Sequence, residues 1–174
     1  MSAAAPVAAA NPRPLTAAST LIGIGMGGFV DGILFHQILQ IHNMLSARIP
    51  KTTLVNAEIN MVWDGLFHVF TWMMTAFGIA LLWKAGQRRD VPWSTNLFVG
   101  GLLQGWGIFN VVEGIIDHHI LHVHHVVERF GVSVYDFLFL FSGAVLIGVG
   151  QMLIRKGGSD TPQSYPSPES SPPA

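Results

Sequence analysis

Cysteine is absent from the 174 residues. Its absence excludes disulfide bonds, thiolate metal sites, cysteine-held iron–sulfur clusters and cysteine nucleophiles. Any bound metal must therefore have imidazole, carboxylate, amide, thioether or water ligands. The sequence also lacks a G-x-S-x-G element and a Walker element, so serine hydrolase and phosphate-loop chemistries have no supporting motif.

Charge is scarce as well. Only 11% of the residues are charged, whereas about 25% is typical of a soluble domain. The formal net charge is -1 and no run of Lys or Arg exceeds a pair, so the basic surface that nucleic-acid binding needs is missing. Half of the residues are hydrophobic and the mean hydropathy is +0.46, which indicates a protein of the lipid bilayer.

Four apolar stretches each reach the ~20 residues that cross a hydrocarbon core. They predict an all-α polytopic membrane protein, an antiparallel bundle of four transmembrane helices. The predicted spans are 18–41, 59–83, 95–116 and 132–154. A flexible N-terminal tail is expected over 1–17, the membrane domain over 18–156, and a disordered Pro/Ser-rich tail over 157–174.

The distribution of Lys and Arg predicts the orientation of the bundle. The tails and the central loop carry six basic residues, and the two other loops carry three. By the positive-inside tendency, both termini are expected in the cytoplasm of a multi-pass protein of the cell (inner) membrane.

With this topology, the intramembrane ionisable residues of all four helices fall at the midplane or in the outer half. Such a common depth predicts one shared polar cavity that opens to the extracytoplasmic side. The residues concerned are Asp31, His36, Asp64, His68, Glu113, Asp117, His118 and Asp136.

Residues 117–125, DHHILHVHH, contain five of the eight histidines, and Glu113 lies four residues upstream. Lipid offers these groups no hydrogen bonds, so protons, protein partners or a metal must satisfy them. A metal site is the favoured interpretation, and a structural or proton-conducting network and haem ligation are the alternatives. A histidine collar at the outer surface is either solvated or captures metal at the mouth of the site; it comprises His119, His122, His124 and His125.

Helical periodicity leaves the number of metals open. Asp64 and His68 share a face at i and i+4, and two neighbouring faces of the third span carry acids and histidines. A short DG…H element occurs twice, at residues 31–36 and 64–68, but its spacing differs by one residue and is poor support for a duplication. Glycines at small-xxx-small spacing allow close helix packing and permit a homo-oligomer.

The strings GFVDGILFHQILQIHNM, WDGLFHVFTW and GWGIFNVVEGIIDHHILHVHH together resemble a family of bacterial predicted membrane proteins of unknown function. The resemblance covers about residues 20–155. It implies the four-helix topology and no established reaction. A loose association of such proteins with cytochrome oxidase copper assembly makes respiratory oxidase assembly factors expected partners besides the lipid bilayer.

The sequence thus predicts a His/carboxylate site for iron, zinc or copper, with metal-dependent redox or hydrolytic chemistry. Copper handling for a respiratory oxidase, a proton or ion pathway, and haem binding remain as alternatives. Asp64 and Glu113 are the candidate catalytic residues. The predicted metal ligands are His36, Asp64, His68, Glu113, Asp117, His118 and His122.

Overall fold

The computed structural model describes residues 8–159 and 164–165, and within them it confirms the all-α architecture with four spans. A 3-10 turn at Glu128–Phe130 precedes the last helix, and Ala8–Ala9 pairs antiparallel with Ser164–Tyr165. The four helices are α1 (Arg13–Val30), α2 (Leu54–Gly86), α3 (Thr95–Glu113) and α4 (Val134–Ser159). Helix α1 continues as a π-helical segment (Asp31–Ile38), and helix α3 continues as a second π-helical segment (Gly114–Ile120).

The helices are long and apolar enough to cross a membrane. With their π-helical continuations, α1 and α3 each span 26 residues, α2 spans 33 and α4 spans 26. Helical structure extends into 13–17 and 157–159, which the sequence assigned to the tails. Residues 1–7, 160–163 and 166–174 of those tails lie outside the described residues.

Glycines set the packing of the bundle. The parallel helices α1 and α3 form its centre, where Gly23 lies against the backbone of Leu102 and Gly105 lies against the backbone of Thr20. Helix α2 packs antiparallel on α1, and α4 packs antiparallel on α3. Small residues let the helix backbones approach closely, which is the main source of helix association in lipid.

The bundle consists of two similar halves, α1 with α2 and α3 with α4. Residues 30–42 (VDGILFHQILQIH) and 112–124 (VEGIIDHHILHVH) are identical at seven of thirteen positions. The backbone repeats as well, because Gln40 and His122, which are 82 residues apart, have φ angles of 50° and 48°. The halves are parallel repeats related by an axis that runs along the helices.

The two π-helical segments define which side chains face the bundle axis. The amide of Leu39 bonds to the carbonyl of Leu34 at 2.8 Å, and Leu121 bonds to Ile116 at 2.7 Å. These i→i+5 hydrogen bonds place residues five apart on one face. The chain then turns at Gln40 or His122 and brings the next residues back towards the axis.

Candidate metal centre

Four imidazoles meet at the C-terminal ends of the two central helices. His36, His42, His118 and His124 are each at most 1% exposed. The ring centroids of His36 and His42 are 4.6 Å apart, those of His42 and His124 are 4.7 Å apart, and those of His118 and His124 are 4.9 Å apart. We refer to these four side chains as the imidazole cluster.

In the first half of the bundle, one carboxylate faces two rings of the cluster. The Nε2 atom of His36 lies 3.1 Å from Asp31 Oδ2, and the Nε2 atom of His42 lies 3.6 Å from Asp31 Oδ1. Asp31 is the first residue of its π-helical segment and His36 follows five residues later, so both face the axis.

The second half repeats this arrangement. The Nε2 atom of His118 lies 3.1 Å from Glu113 Oε1, and the Nε2 atom of His124 lies 2.7 Å from the same oxygen. The spacing of Glu113, His118 and His124 along the chain equals that of Asp31, His36 and His42. Each half therefore offers one carboxylate and two imidazole nitrogens.

The other nitrogen of each ring has an outer partner. The Nδ1 atom of His36 lies 3.0 Å from Asp64 Oδ1, and the Nδ1 atom of His118 lies 3.1 Å from Asp136 Oδ1. The His36 contact is a hydrogen bond, which favours a proton on Nδ1 and leaves the Nε2 lone pair directed at the axis. The His118 contact is at ion-pair distance, and its Nδ1 atom makes no hydrogen bond.

Backbone carbonyls hold the two remaining rings, and each comes from the opposite half. The Nδ1 atom of His42 lies 3.0 Å from the carbonyl oxygen of Val126, and the Nδ1 atom of His124 lies 3.2 Å from that of Met44. Residues 44 and 126 are again 82 apart. The arrangement is the one found around metal-ligating histidines, whose second ring nitrogen is bound to a carboxylate or a carbonyl.

Asp64 and Asp136 have most of their oxygen lone pairs occupied. Asp64 accepts hydrogen bonds from the Met44 amide and the side-chain amide of Asn43, besides its contact with His36. Asp136 accepts from the amides of Val126 and Ser133. Both carboxylates therefore orient histidines from outside the cluster.

Several polar atoms that face the axis have no hydrogen-bond partner although they are buried. They belong to both halves, and each unsatisfied buried group costs free energy. A cation in each half would satisfy the orphaned atoms of that half that face the axis. These atoms are Asp31 Oδ2, His36 Nε2, His42 Nε2, Glu113 Oε2 and His118 Nε2, and the outward-facing Nδ1 atom of His118 also has no hydrogen-bond partner.

The distances suit a metal ion. Ligand atoms of His36, His42 and His124 lie within 4.8 Å of one another, and so do those of Glu113, His118 and His124. Metal bonds of ~2.0–2.1 Å place neighbouring ligand atoms about 3.0–3.4 Å apart. The nitrogen-to-carboxylate distances of 2.7–3.6 Å lie close to that range, so these buried groups could hold a metal.

The two stacked imidazoles differ in their proton affinity. Burial is the largest influence on both and lowers the pKa of each ring. In His42 burial prevails over the attraction of Asp31, and the pKa lies below its ordinary value. In His124 the hydrogen bond and the charge of Glu113 outweigh burial and raise the pKa.

Four of the seven predicted ligands come together and three do not. His36, Glu113 and His118 belong to the centre, and Asp64 contacts it through His36. The other three occupy different surroundings. His68 is half-buried with its Nδ1 atom 2.7 Å from the Asp64 carbonyl of its own helix, Asp117 is half-buried beside a cavity, and His122 is exposed at the turn.

Of the two interpretations of the histidine collar, solvation does not fit two of its members. His124 is 0% exposed and His125 is 6% exposed, because the segment after His122 folds back against the bundle. The sequence placed Asp31 and Asp136 in the shared polar cavity, but it did not name them, His42 or His124 as parts of the metal centre. The repeat at an interval of 82 residues is the pattern that identifies three of them, since it aligns Asp31 with Glu113, His36 with His118 and His42 with His124.

Comparisons with known proteins identify a family and no characterised relative. No curated protein and no solved structure matches the chain. One family matches residues 18–157, which include all four helices of the bundle apart from their outermost turns. The chain therefore belongs to the family described as Predicted membrane protein (DUF2243).

Proposed function

We propose that the protein is a membrane metalloenzyme whose bundle holds two divalent transition-metal ions, one in each half. Asp31, His36 and His42 are the ligands of the first ion. Glu113, His118 and His124 are the ligands of the second ion. The observation that carries the proposal is the set of outer partners. Three of the four rings are hydrogen-bonded through Nδ1, the fourth has Asp136 at ion-pair distance, and all four Nε2 atoms lie near one of the two carboxylates.

Charge supports two ions. Four carboxylates are buried around the imidazole cluster: Asp31, Asp64, Glu113 and Asp136. Among the described residues, these four carboxylates form ion pairs with histidines and with no lysine or arginine. The ion pair of Arg88 with Asp90 lies outside the cluster. Four uncompensated negative charges are very costly in a membrane protein, and two divalent cations balance them.

The alternatives account for the geometry less well. Four protonated imidazoles would repel one another at centroid distances of 4.6–5.7 Å. The rings also pack against each other, which leaves no space for a haem macrocycle between two of them. A protein that hands on metal needs ligands that a partner protein can reach, whereas the four imidazoles are each at most 1% exposed.

Three protein ligands per ion leave at least one coordination position open. A divalent metal ion there would act as a Lewis acid and bind water or dioxygen, for hydrolytic or oxidative chemistry. Imidazole and carboxylate ligands suit zinc, iron and Cu(II), and the absence of cysteine argues against a dedicated Cu(I) site. The outer carboxylates and backbone carbonyls hold the imidazole rings in position, and the burial of the rings keeps bulk water away from the centre.

We further propose that the centre lies in the extracytoplasmic half of an inner-membrane protein with both termini in the cytoplasm, from the distribution of Lys and Arg. The chain has no cysteine, so a single cysteine at Lys51 reports the side of the α1–α2 loop. Labelling of this cysteine in intact cells by an impermeant maleimide is expected. Labelling after lysis alone would reverse the orientation.

Cobalt substitution tests the metal centre. Titration of metal-free protein with Co²⁺ is expected to saturate the visible absorption of the bound ion at two equivalents. His36→Ala and His118→Ala, one in each half, are each expected to reduce this to one equivalent. A wild-type endpoint at one equivalent, or no cobalt band, would contradict the proposal.

A further inference from the structure

A cavity of about 470 Å³ lies between α2 and α3, beside the second half of the centre. We call it the lateral cavity. Its volume falls in the range of pockets that hold small organic ligands, about 300–1,000 Å³. Leu66 and Phe70, on its α2 side, are 54% and 46% exposed. In a bilayer these exposed apolar residues would face lipid, so the cavity is accessible from the hydrocarbon core.

The lateral cavity is apolar along most of its length and polar at one end. Its wall on α2 extends from Trp63 to Met74, which corresponds to about 16 Å along a helix. Glu113 and Asp117 are among the residues that line the same cavity. Glu113 is also a proposed metal ligand, so the polar end adjoins the centre.

The repeat contains an equivalent of this cavity, but it is much smaller. A cavity of about 170 Å³ lies beside the first half and is lined by Val30, Asp31, Phe35 and Trp106, among others. Val30 and Asp31 are the repeat equivalents of Val112 and Glu113, which line the lateral cavity.

Two exchanges between the halves place aromatic side chains in the smaller cavity, while a third has the opposite sense, since Gly27 there corresponds to Phe109 in the lateral cavity. Trp106 occupies the place that Ile24 has in the lateral cavity, and Phe35 occupies the place of Asp117. The smaller cavity therefore has two aromatic side chains at the positions where the lateral cavity has Ile24 and an additional carboxylic acid, Asp117. The halves share the metal ligands and differ in access to them.

We propose that the lateral cavity is the binding site for a lipid-soluble alcohol, with its alkyl chain between α2 and α3 and its hydroxyl group at Asp117 and Glu113. A hydroxyl group matches this end because it donates a hydrogen bond to a carboxylate without bringing a charge into the cavity, whose remaining wall is mainly apolar. This inference rests on the proposed metal centre, since it names the molecule that the centre would act on.

A photolabel tests the proposal. Dodecanol with a diazirine in its alkyl chain is expected to label residues 66–74 and 108–116 of the purified protein, with and without bound metal. Unlabelled dodecanol is expected to suppress this labelling at concentrations at least tenfold lower than dodecane. Labelling spread evenly over the lipid-facing sides of α2 and α4, or equal suppression by dodecane, would overturn the proposal.

Variants based on the repeat provide matched controls. Ile24→Trp places a tryptophan in the lateral cavity at the position that Trp106 has in the smaller cavity. This variant is expected to reduce labelling about tenfold. Met74→Trp fills the same cavity from α2 and replaces Ile24→Trp if that variant does not fold. Trp106→Ile alters only the small cavity and is expected to leave the labelling of 66–74 and 108–116 unchanged. Equal losses in Ile24→Trp and Trp106→Ile would overturn the assignment.

Asp117→Leu tests the polar end, because it is expected to remove the preference for dodecanol over dodecane while metal content stays unchanged. A preference that persists would overturn the role of Asp117. Failure of the metal centre is distinguishable, since a protein without bound metal would still be labelled. Conversely, a protein that binds two metal ions but is not labelled in the cavity would disprove this inference alone.

Discussion

His42 and His124 stack face to face, with ring centroids 4.7 Å apart and ring planes at 10°. Each is held by a backbone carbonyl of the segment that carries the other, His42 by Val126 and His124 by Met44. Neither half of the bundle can therefore orient its own second histidine. The two halves form one centre, and damage to either segment should affect both ions.

The first prediction compares two histidines that are neighbours in sequence. His124→Ala removes a buried ligand and the ring that stacks on His42, so it is expected to lose at least one of the two ions and to weaken the other. His122→Ala removes an exposed side chain outside the cluster and is expected to keep both. Metal content after gel filtration measures the difference. Full metal retention by the His124→Ala variant would show that His124 is not a metal ligand.

The second prediction concerns the two outer carboxylates. Asp64→Asn and Asp136→Asn leave the proposed ligands in place but change the partner of a ligand's Nδ1 atom. Loss of such a partner typically costs 10–100-fold in metal affinity. Competition with a chromophoric chelator is expected to show this loss for both variants. Asp117→Asn is the control with unchanged affinity, and a loss of the same size there would make Asp117 a ligand.

The third prediction concerns the contact between the central helices. A side chain at position 105 would collide with the backbone of Thr20, so Gly105→Leu is expected to destabilise the bundle by about 3 kcal/mol. Gly65 has no neighbour within 4 Å of the place where a Cβ atom would lie, and Gly65→Ala is expected to be neutral or stabilising by up to ~1 kcal/mol. Unfolding in detergent followed by circular dichroism checks both. Equal stability of the two variants would contradict the packing.

The fourth prediction concerns the turn after the first π-helical segment. Gln40 has a left-handed conformation that glycine adopts without strain and β-branched residues adopt poorly. Gln40→Gly is therefore expected to preserve metal binding and thermal stability. Gln40→Val is expected to reduce both, because the following segment carries His42. Identical behaviour of the two variants would show that the turn does not determine the position of His42.

The sequence predicts the bundle well because crossing a bilayer imposes a length and an apolar composition that can be read directly. It also predicts the shared depth of His36, Asp64, Glu113 and His118. It did not predict which side chains share a helix face. In an ordinary α-helix Asp31 and His36 would lie on different faces, whereas the i→i+5 hydrogen bonding of the π-helical segment places them on the same face. His124 was placed in an outer collar for a related reason, as periodicity does not reveal a chain that turns back into the bundle.

Metal analysis of the protein, purified in detergent without added metal or chelator, tests the central claim most directly. Elemental mass spectrometry normalised to amino-acid analysis is expected to find two divalent transition-metal ions per chain. In protein that carries both His36→Ala and His118→Ala, the content is expected to fall towards zero. A wild-type protein that is folded and metal-free, and takes up no zinc, iron or copper when these are supplied, would contradict the account.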